Sequence, residues 1–526
     1  MENKREKPPV IIFLLNHSTK YAILIPVFFT FVVQVSILNG DFFSDDYMYF
    51  YRAANSGFWR FLFDPFANQI MPVRHVILYV FFCLFGLQAS YYFILAFITH
   101  LLNVFFLYVV IKRITDNNLL AVFFSTLWGI ALINRGTLEW FSAYGHVLAT
   151  CFLLLILVDV SKLARGTESP GNFMLVRWSV LLVLSAFSWG VGIGIAVIFF
   201  ISACFFLFHL KKRIRTSLIM LIPALLVILI YALIQRIIIW RSAADSFVFE
   251  FPYDNPLFWI SSIKLFLAKL SYAVSMLLIG PFIINASHEL IISYCITGLF
   301  ASVMVYVFIK SSVYQRNLIL GLMVLLLVTC GIFSFAKAWI SEVLKLSFRS
   351  TVVSPWHYYM MTILVALLLG IACSLFIKTE KIKSNIIPIS IMTLLLIVIF
   401  IASFVPAHYF YNKHGVNCKN EYYAIVEELK AGTTNLKQNE SIYFRNKMTK
   451  SIRVPFQTDK NFDFPGLAAI YMIARFEGKF DCRNVYFIEE NRALAKNLLA
   501  DKDSAISKII LPVKSDVSYQ VIDISY

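Results

Sequence analysis

Long, nearly unbroken apolar runs alternate along this chain with short polar connectors. A run of about 20 apolar residues is the length a helix needs to cross the hydrocarbon core of a bilayer. Only helices and closed barrels satisfy all their backbone polar groups in lipid, and barrel strands would read as roughly ten residues of strict alternation. The runs here are continuous, so the pattern predicts helices. Spans are expected near 21–38, 90–111, 119–133, 144–161, 217–239, 289–309, 318–336, 357–377 and 386–404. The stretch from Trp178 to Phe208 is too long for one span, and Gly190, Gly192 and Gly194 suggest a tight turn between two. That makes roughly eleven spanning helices.

Two segments break the rhythm. Residues 39–75 are polar and interleaved with aromatics, which suits juxtamembrane helices at the interface, and 76–88 is too short to span comfortably,. Residues 257–283 are apolar but interrupted by Lys264 and Lys269. If they spanned, Lys310, Arg316, Lys378, Lys381 and Lys383 would face outward, against the positive-inside bias, so an interfacial or re-entrant segment is expected,. Past Pro406 the composition turns mixed and charged. Helix-like stretches near 420–431 and 490–500 and strand-like ones near 441–445, 484–488 and 507–512 predict a small α/β domain. The expected fold class is therefore an all-α polytopic membrane domain, 1–406, followed by a soluble extracytoplasmic α/β domain, 407–526.

Composition agrees with this division. Of 526 residues 60% are hydrophobic and 14% charged, against about 25% charged in soluble domains. The net charge of +16 is explained largely by Lys and Arg in short loops, so nucleic acid is not an expected partner. Lys4, Arg5, Lys7 and Lys20 precede the first run, which predicts an uncleaved first helix with its N-terminus inside,. The loops at 39–75, 134–143 and 337–356 and the tail then lie outside, and 112–118, 209–216 and 378–385 inside. A multi-pass plasma (inner) membrane protein results, with its C-terminus extracytoplasmic. Of eight cysteines, only Cys418 and Cys482 fall in the tail; together in one domain of an oxidising compartment they are expected to form a disulfide,. No Cys/His spacing suggests a metal site.

The segment Gly40-Asp41-Phe42-Phe43-Ser44-Asp45-Asp46-Tyr47 carries the most chemistry. Adjacent carboxylates point in different directions on a helix or strand, so Asp45 and Asp46 can divide two jobs between them. One can face a reactant while the other anchors the loop.

The stretch 39–165 resembles the GT-C superfamily of membrane glycosyltransferases, which includes the protein O-mannosyltransferases and the aminoarabinose transferase that modifies lipid A. The resemblance is carried by the acidic pair in Ser44-Asp45-Asp46-Tyr47-Met48-Tyr49, by Pro72-Val73-Arg74-His75, and by the Leu84-Phe85-Gly86 turn. Tyr91-Tyr92, His100, Asn103, Tyr108 and Lys112-Arg113 follow, then a second acidic loop, Thr137-Leu138-Glu139-Trp140. Arg349 and Ser354-Pro355-Trp356-His357-Tyr358-Tyr359 resemble the mouth of a late helix that carries an Arg-Tyr element in relatives. Where many relatives have a Lys-Glu pair near the turn between helices five and six, this chain has Ser188-Trp189-Gly190.

The resemblance implies transfer of a hexosyl or pentosyl group from a polyprenyl-phosphate-linked sugar to a glycan, lipid or protein acceptor at the extracytoplasmic face, with inversion. Asp45, Asp46 and Glu139 are the implied catalytic acids, with Asp45 as general base. Arg74, His75, Arg349, His357 and Tyr358 are the implied donor-phosphate and substrate contacts. Arg135, Lys337 and His146 lie near the same surface. No cofactor is expected, and because superfamily members differ in metal dependence a divalent ion stays open. Rival readings are a lipid or sugar transporter or flippase, which would hold its charges near the midplane, and an O-antigen polymerase or ligase, with a large late outer loop.

Overall fold

The computed structural model describes residues 21–42, 45–64, 69–163, 171–209, 214–241, 254–283, 288–343, 347–376 and 386–409, isolated positions between 416 and 476, and five strand segments from 440 to 523. The calls on Cys418–Cys482 and on a helix near 490–500 lie outside the described residues.

Among the described residues the membrane domain is built of helices. Among the described residues seven helices are long and apolar enough to cross a membrane: Ala89–Thr115, Phe141–Lys162, Pro256–Phe282, Glu289–Lys310, Gln315–Phe335, Tyr359–Phe376 and Ser390–His408. The pair Asn118–Gly129 and Leu132–Leu138, bent by 53°, makes an eighth if counted as one span. Shorter apolar helices include Leu24–Asn39, Pro72–Phe85 and Asn172–Ala186. The long glycine-bearing run separates into Asn172–Ala186 and Val191–His209, joined by a turn at 187–190. Residues 257–283, expected as an interfacial segment, form one helix of spanning length, Pro256–Ile283, broken in its last turn at Ile279 beside Pro281.

The bend at residues 130–131 has a visible cause and consequence. A helix break frees carbonyls that lipid cannot satisfy. Here side chains take them up. Gln34 Nε2 donates to the Gly129 carbonyl at 3.3 Å, His100 Nε2 reaches the same oxygen at 3.1 Å, and Asn134 Nδ2 donates to the Trp128 carbonyl at 2.6 Å. Gly129 is required there, because a Cβ would sit 2.0 Å from Thr30 Oγ1 on the first helix. The bend carries Leu132–Leu138 against Pro355–His357, with Gly136 closing on Pro355 and Trp140 edge-on to Trp356 at 4.6 Å between ring centroids.

The last helix, Ile386–Tyr409, returns to the first. Phe29 and Phe400 pack edge to face at 5.1 Å, Ser36 Oγ donates to the Ala407 carbonyl at 3.2 Å, and His408 Nε2 lies 3.1 Å from the Val32 carbonyl. The tail therefore leaves the bundle beside residues 36–42.

In the tail, strands β1 (Glu440–Arg445), β2 (Arg453–Pro455), β3 (Val485–Ile488), β4 (Ala505–Pro512) and β5 (Tyr519–Asp523) form one sheet ordered β2-β3-β1-β4-β5. β1 lies parallel to β3 and β4, and the edge strands are antiparallel. β1, β3 and β4 match the three strand-like stretches of the sequence. β2 and β5 carry too little periodicity to be read beforehand.

Candidate active site

The segment after the first helix carries the acidic pair. Asp45 and Asp46 open the helix Asp45–Asn55, where the N-terminal end of the peptide dipoles favours carboxylates,. Asp46 is buried, and its Oδ1 accepts hydrogen bonds from both the backbone N–H and the hydroxyl of Ser142, each at 2.6 Å. Its carboxylate thus ties the helix to the turn Phe141–Ala143. Asp45, one position on and turned about 100° away, is partly exposed, and its charge is within electrostatic reach of Tyr49 and Lys337.

Arg74 lies against the same segment. The helix Pro72–Phe85 docks on the turn at 187–190, with Val73 N–H donating to the Phe187 carbonyl at 3.1 Å and Gly190 N–H to Gln69 Oε1 at 3.2 Å. This places the Arg74 guanidinium over the Tyr49 ring, 3.9 Å from its centroid, with Trp189 at 5.6 Å. Arg74 is fully buried, and none of its three guanidinium nitrogens makes a hydrogen bond of normal geometry among the described residues. Neither ring nitrogen of buried His146 makes one either. His146 sits against Trp189 and Phe333, within reach of the Arg74 and Lys337 charges. Trp189 stands where relatives carry a Lys-Glu pair, and here it supplies an aromatic face.

The remaining groups are distant in sequence. Lys269, fully buried, donates to the Thr351 carbonyl at 3.1 Å, lies 3.0 Å from His357 Nδ1, and faces the Tyr358 ring at 5.3 Å. Phe333 spans the gap between His146 and His357. The charges of Lys269 and Lys337 reach one another and His357. Asp45, Arg74, His146, Lys269, Lys337 and His357 are thus linked by pairwise charge interactions, in part through Tyr49.

Other sequence candidates fall elsewhere. His75 is stacked on Phe61 at 4.8 Å with the Tyr49 ring at 5.7 Å, and its Nδ1 lies 3.3 Å from the Leu62 carbonyl. Tyr358 is buried and donates its hydroxyl to the Val352 carbonyl, so it braces the loop behind Lys269. Arg349 is largely exposed and paired with buried Glu289 at 2.9 Å; its charge interacts with Glu289 and Tyr272. His100 and Asn103 bond to the Tyr359 hydroxyl at 2.6 and 3.1 Å and knit the core.

Glu139 is half-buried and ion-paired with the fully buried Arg135 four residues earlier. Burial pushes its carboxyl up, and Arg135 pulls it back. Glu139 therefore bears on stability, whatever part it has in the reaction. Glu139→Gln removes this carboxylate from a buried guanidinium, a change that typically costs about 3–5 kcal/mol. A lowered unfolding temperature of the purified variant in detergent is the expected result; unchanged stability would show that Arg135 is compensated by other groups.

Among the described residues, no group of three or more His, Cys, Asp or Glu side chains converges as a metal site.

No protein-family model matches the chain, and no curated protein matches it. Solved structures do. The oligosaccharyltransferase of Archaeoglobus fulgidus in complex with Zn and sulfate is 13% identical at a TM-score of 0.39, over 81% of this chain and 60% of that one. The chain thus spans less than two thirds of that protein's length. AglB from the same organism, with an inhibitory peptide and a dolichol-phosphate, gives 12% identity and a TM-score of 0.41 over 94% of this chain and 69% of that one. ArnT from Cupriavidus metallidurans bound to undecaprenyl phosphate gives 10% and 0.39 over 96% and 98%. At these scores none of the likenesses assigns a role to a residue. The chain is similar to solved membrane glycosyltransferases of the GT-C type, the superfamily that its first-third motifs resemble.

Proposed function

We propose that the chain is a membrane glycosyltransferase that moves a sugar from a polyprenyl-phosphate donor to a glycan, lipid or protein acceptor at the extracytoplasmic surface, by direct displacement. The observation that supports this best is the buried Arg74 guanidinium, which lies over the Tyr49 ring with no hydrogen bond of normal geometry among the described residues and whose charge reaches Tyr49 and His146, groups that the Asp45 and Lys337 charges also reach. A buried cation held only by such contacts costs several kcal/mol. Retaining one suits a group that meets an anion, and the anion that a lipid-linked sugar presents at the membrane surface is its phosphate.

The chemistry follows from the positions. Asp45 takes the proton of the acceptor hydroxyl as its oxygen bonds to the anomeric carbon. The bond from that carbon to the phosphate oxygen breaks, and the phosphate leaves with the electron pair. Arg74, Lys337 and Lys269 stabilise the charge that develops there. Asp46, held by Ser142, keeps the helix that bears Asp45 in place. One base and one displacement give inversion at the anomeric carbon.

The test is the mass of cell-surface glycans, glycolipids and glycoproteins with and without the gene. Loss of one hexose- or pentose-sized increment, restored by the intact gene, is expected. The same mass loss with the lipid-linked sugar accumulating on the inner rather than the outer face would instead identify a transporter, and an unchanged product mass would overturn the reading.

A further inference from the structure

Beyond this chemistry, which the inference presupposes, we propose that the C-terminal tail positions the catalytic carboxylate: Lys419, Tyr422 and Arg475 clasp the segment 41–55 at three points and set the geometry of Asp45. Lys419 Nζ pairs with Asp41 Oδ2 at 2.6 Å, while Asp41 Oδ1 accepts from the Phe42 N–H at 2.9 Å. Phe42 is fully buried in an aromatic box, edge-on to Phe50 at 4.6 Å and to Tyr92 at 5.0 Å. Tyr47, the residue after the acidic pair, meets Tyr422 of the tail at 5.6 Å. At the far end of the same helix Arg475 Nη1 donates to Asn55 Oδ1 at 2.7 Å, and Phe476 packs on Phe82 at 5.1 Å.

Asp45 and Asp46 are therefore bracketed in sequence, with tail contacts at Asp41 before them and at Tyr47 and Asn55 after. From below, Asp46 is pinned by Ser142. The membrane domain holds one side of this short helix and the tail holds the other. Misplacing a reacting group by about 1 Å can cost 10²-fold in rate, so a clasp that moves the helix slightly acts on turnover. Lys419 is not assigned to the donor phosphate, and its side chain is 40% exposed. It is a positioning residue with no expected effect on the donor KM.

The experiment is a double-mutant cycle in the full-length protein with Lys419→Met and Asp41→Asn, the latter chosen because Asn keeps an oxygen for the Phe42 N–H. Each single variant is expected to lower kcat about fivefold, the ceiling for a partly exposed ion pair, at unchanged donor KM. The double variant is expected to lose the same fivefold, not the product of the two. Raising ionic strength should slow the wild type toward the variants and leave the variants unmoved relative to one another. Wild-type kcat in the singles, or multiplicative losses in the double, would overturn the clasp. An Asp45→Asn control separates the two levels: if it transfers at the wild-type rate, the reading of the site has failed; if it is inactive while Lys419→Met is fully active, the clasp alone has failed.

Discussion

Replacing Arg74 by methionine is expected to lower transfer by about 10²–10³-fold, the scale on which a preorganised charge-stabilising donor contributes, while raising the stability of the free protein. The two effects have one origin. The guanidinium is fully buried with no hydrogen bond of normal geometry among the described residues, so the fold bears its desolvation cost,. Exchanging buried charge for apolar volume often stabilises by about 1–4 kcal/mol. The cation–π contact with Tyr49 at 3.9 Å offsets up to about 2 kcal/mol of that,. The difference of these two magnitudes runs from about −1 to +4 kcal/mol and centres on a modest net gain. Arg74→Lys keeps a point charge but loses the fork that matches phosphate, so it should recover part of the rate. Thermal unfolding in detergent and steady-state transfer, measured on the same preparations, check both halves. A purely structural Arg74 would show the opposite pattern, with methionine destabilising and the rate per folded molecule unchanged.

How much of this was legible beforehand differs by element. The helical runs read clearly because lipid admits few alternatives, and the turn between Ala186 and Val191 was marked by its glycines. The acidic pair was legible as a unit, since two adjacent carboxylates just after a span are unusual. That Asp46 would be the one held by Ser142, 96 residues away, was not. Lys269 was read only as an interruption of an apolar run. Its partners stand 82 and 88 residues further on, and no local pattern announces them. The signal was present all the same, because a lysine in the middle of such a run is rare enough to mark a buried polar site. Arg349 was named from its resemblance to the Arg-Tyr element of a late helix; its pairing with Glu289, 60 residues earlier, was not legible. His75 and His146 looked alike as interfacial histidines. Only packing separates the one stacked on Phe61 from the one set against Trp189.

Asp45→Asn carries the other large expected effect. It removes the charge and keeps the size, at the partly exposed first turn of a helix whose fixed anchor is the neighbouring Asp46. Expression and membrane insertion should therefore survive. Losing a general base typically costs about 10²–10⁴-fold, and that loss should fall on kcat, since the proposed mechanism assigns the donor phosphate to Arg74 and the lysines. Asp46→Asn should behave differently: it weakens the bonds to Ser142, lowers stability, and reduces rate through disorder of the helix.

The most direct measurement is transfer from a synthetic polyprenyl-phosphate sugar to the native acceptor by purified wild-type and Asp45→Asn protein, with the anomeric configuration of the product read by NMR. Inversion by the wild type and a loss of at least about 10²-fold in the variant are the predicted results. Full activity of Asp45→Asn, or retention of configuration by the wild type, would contradict the account.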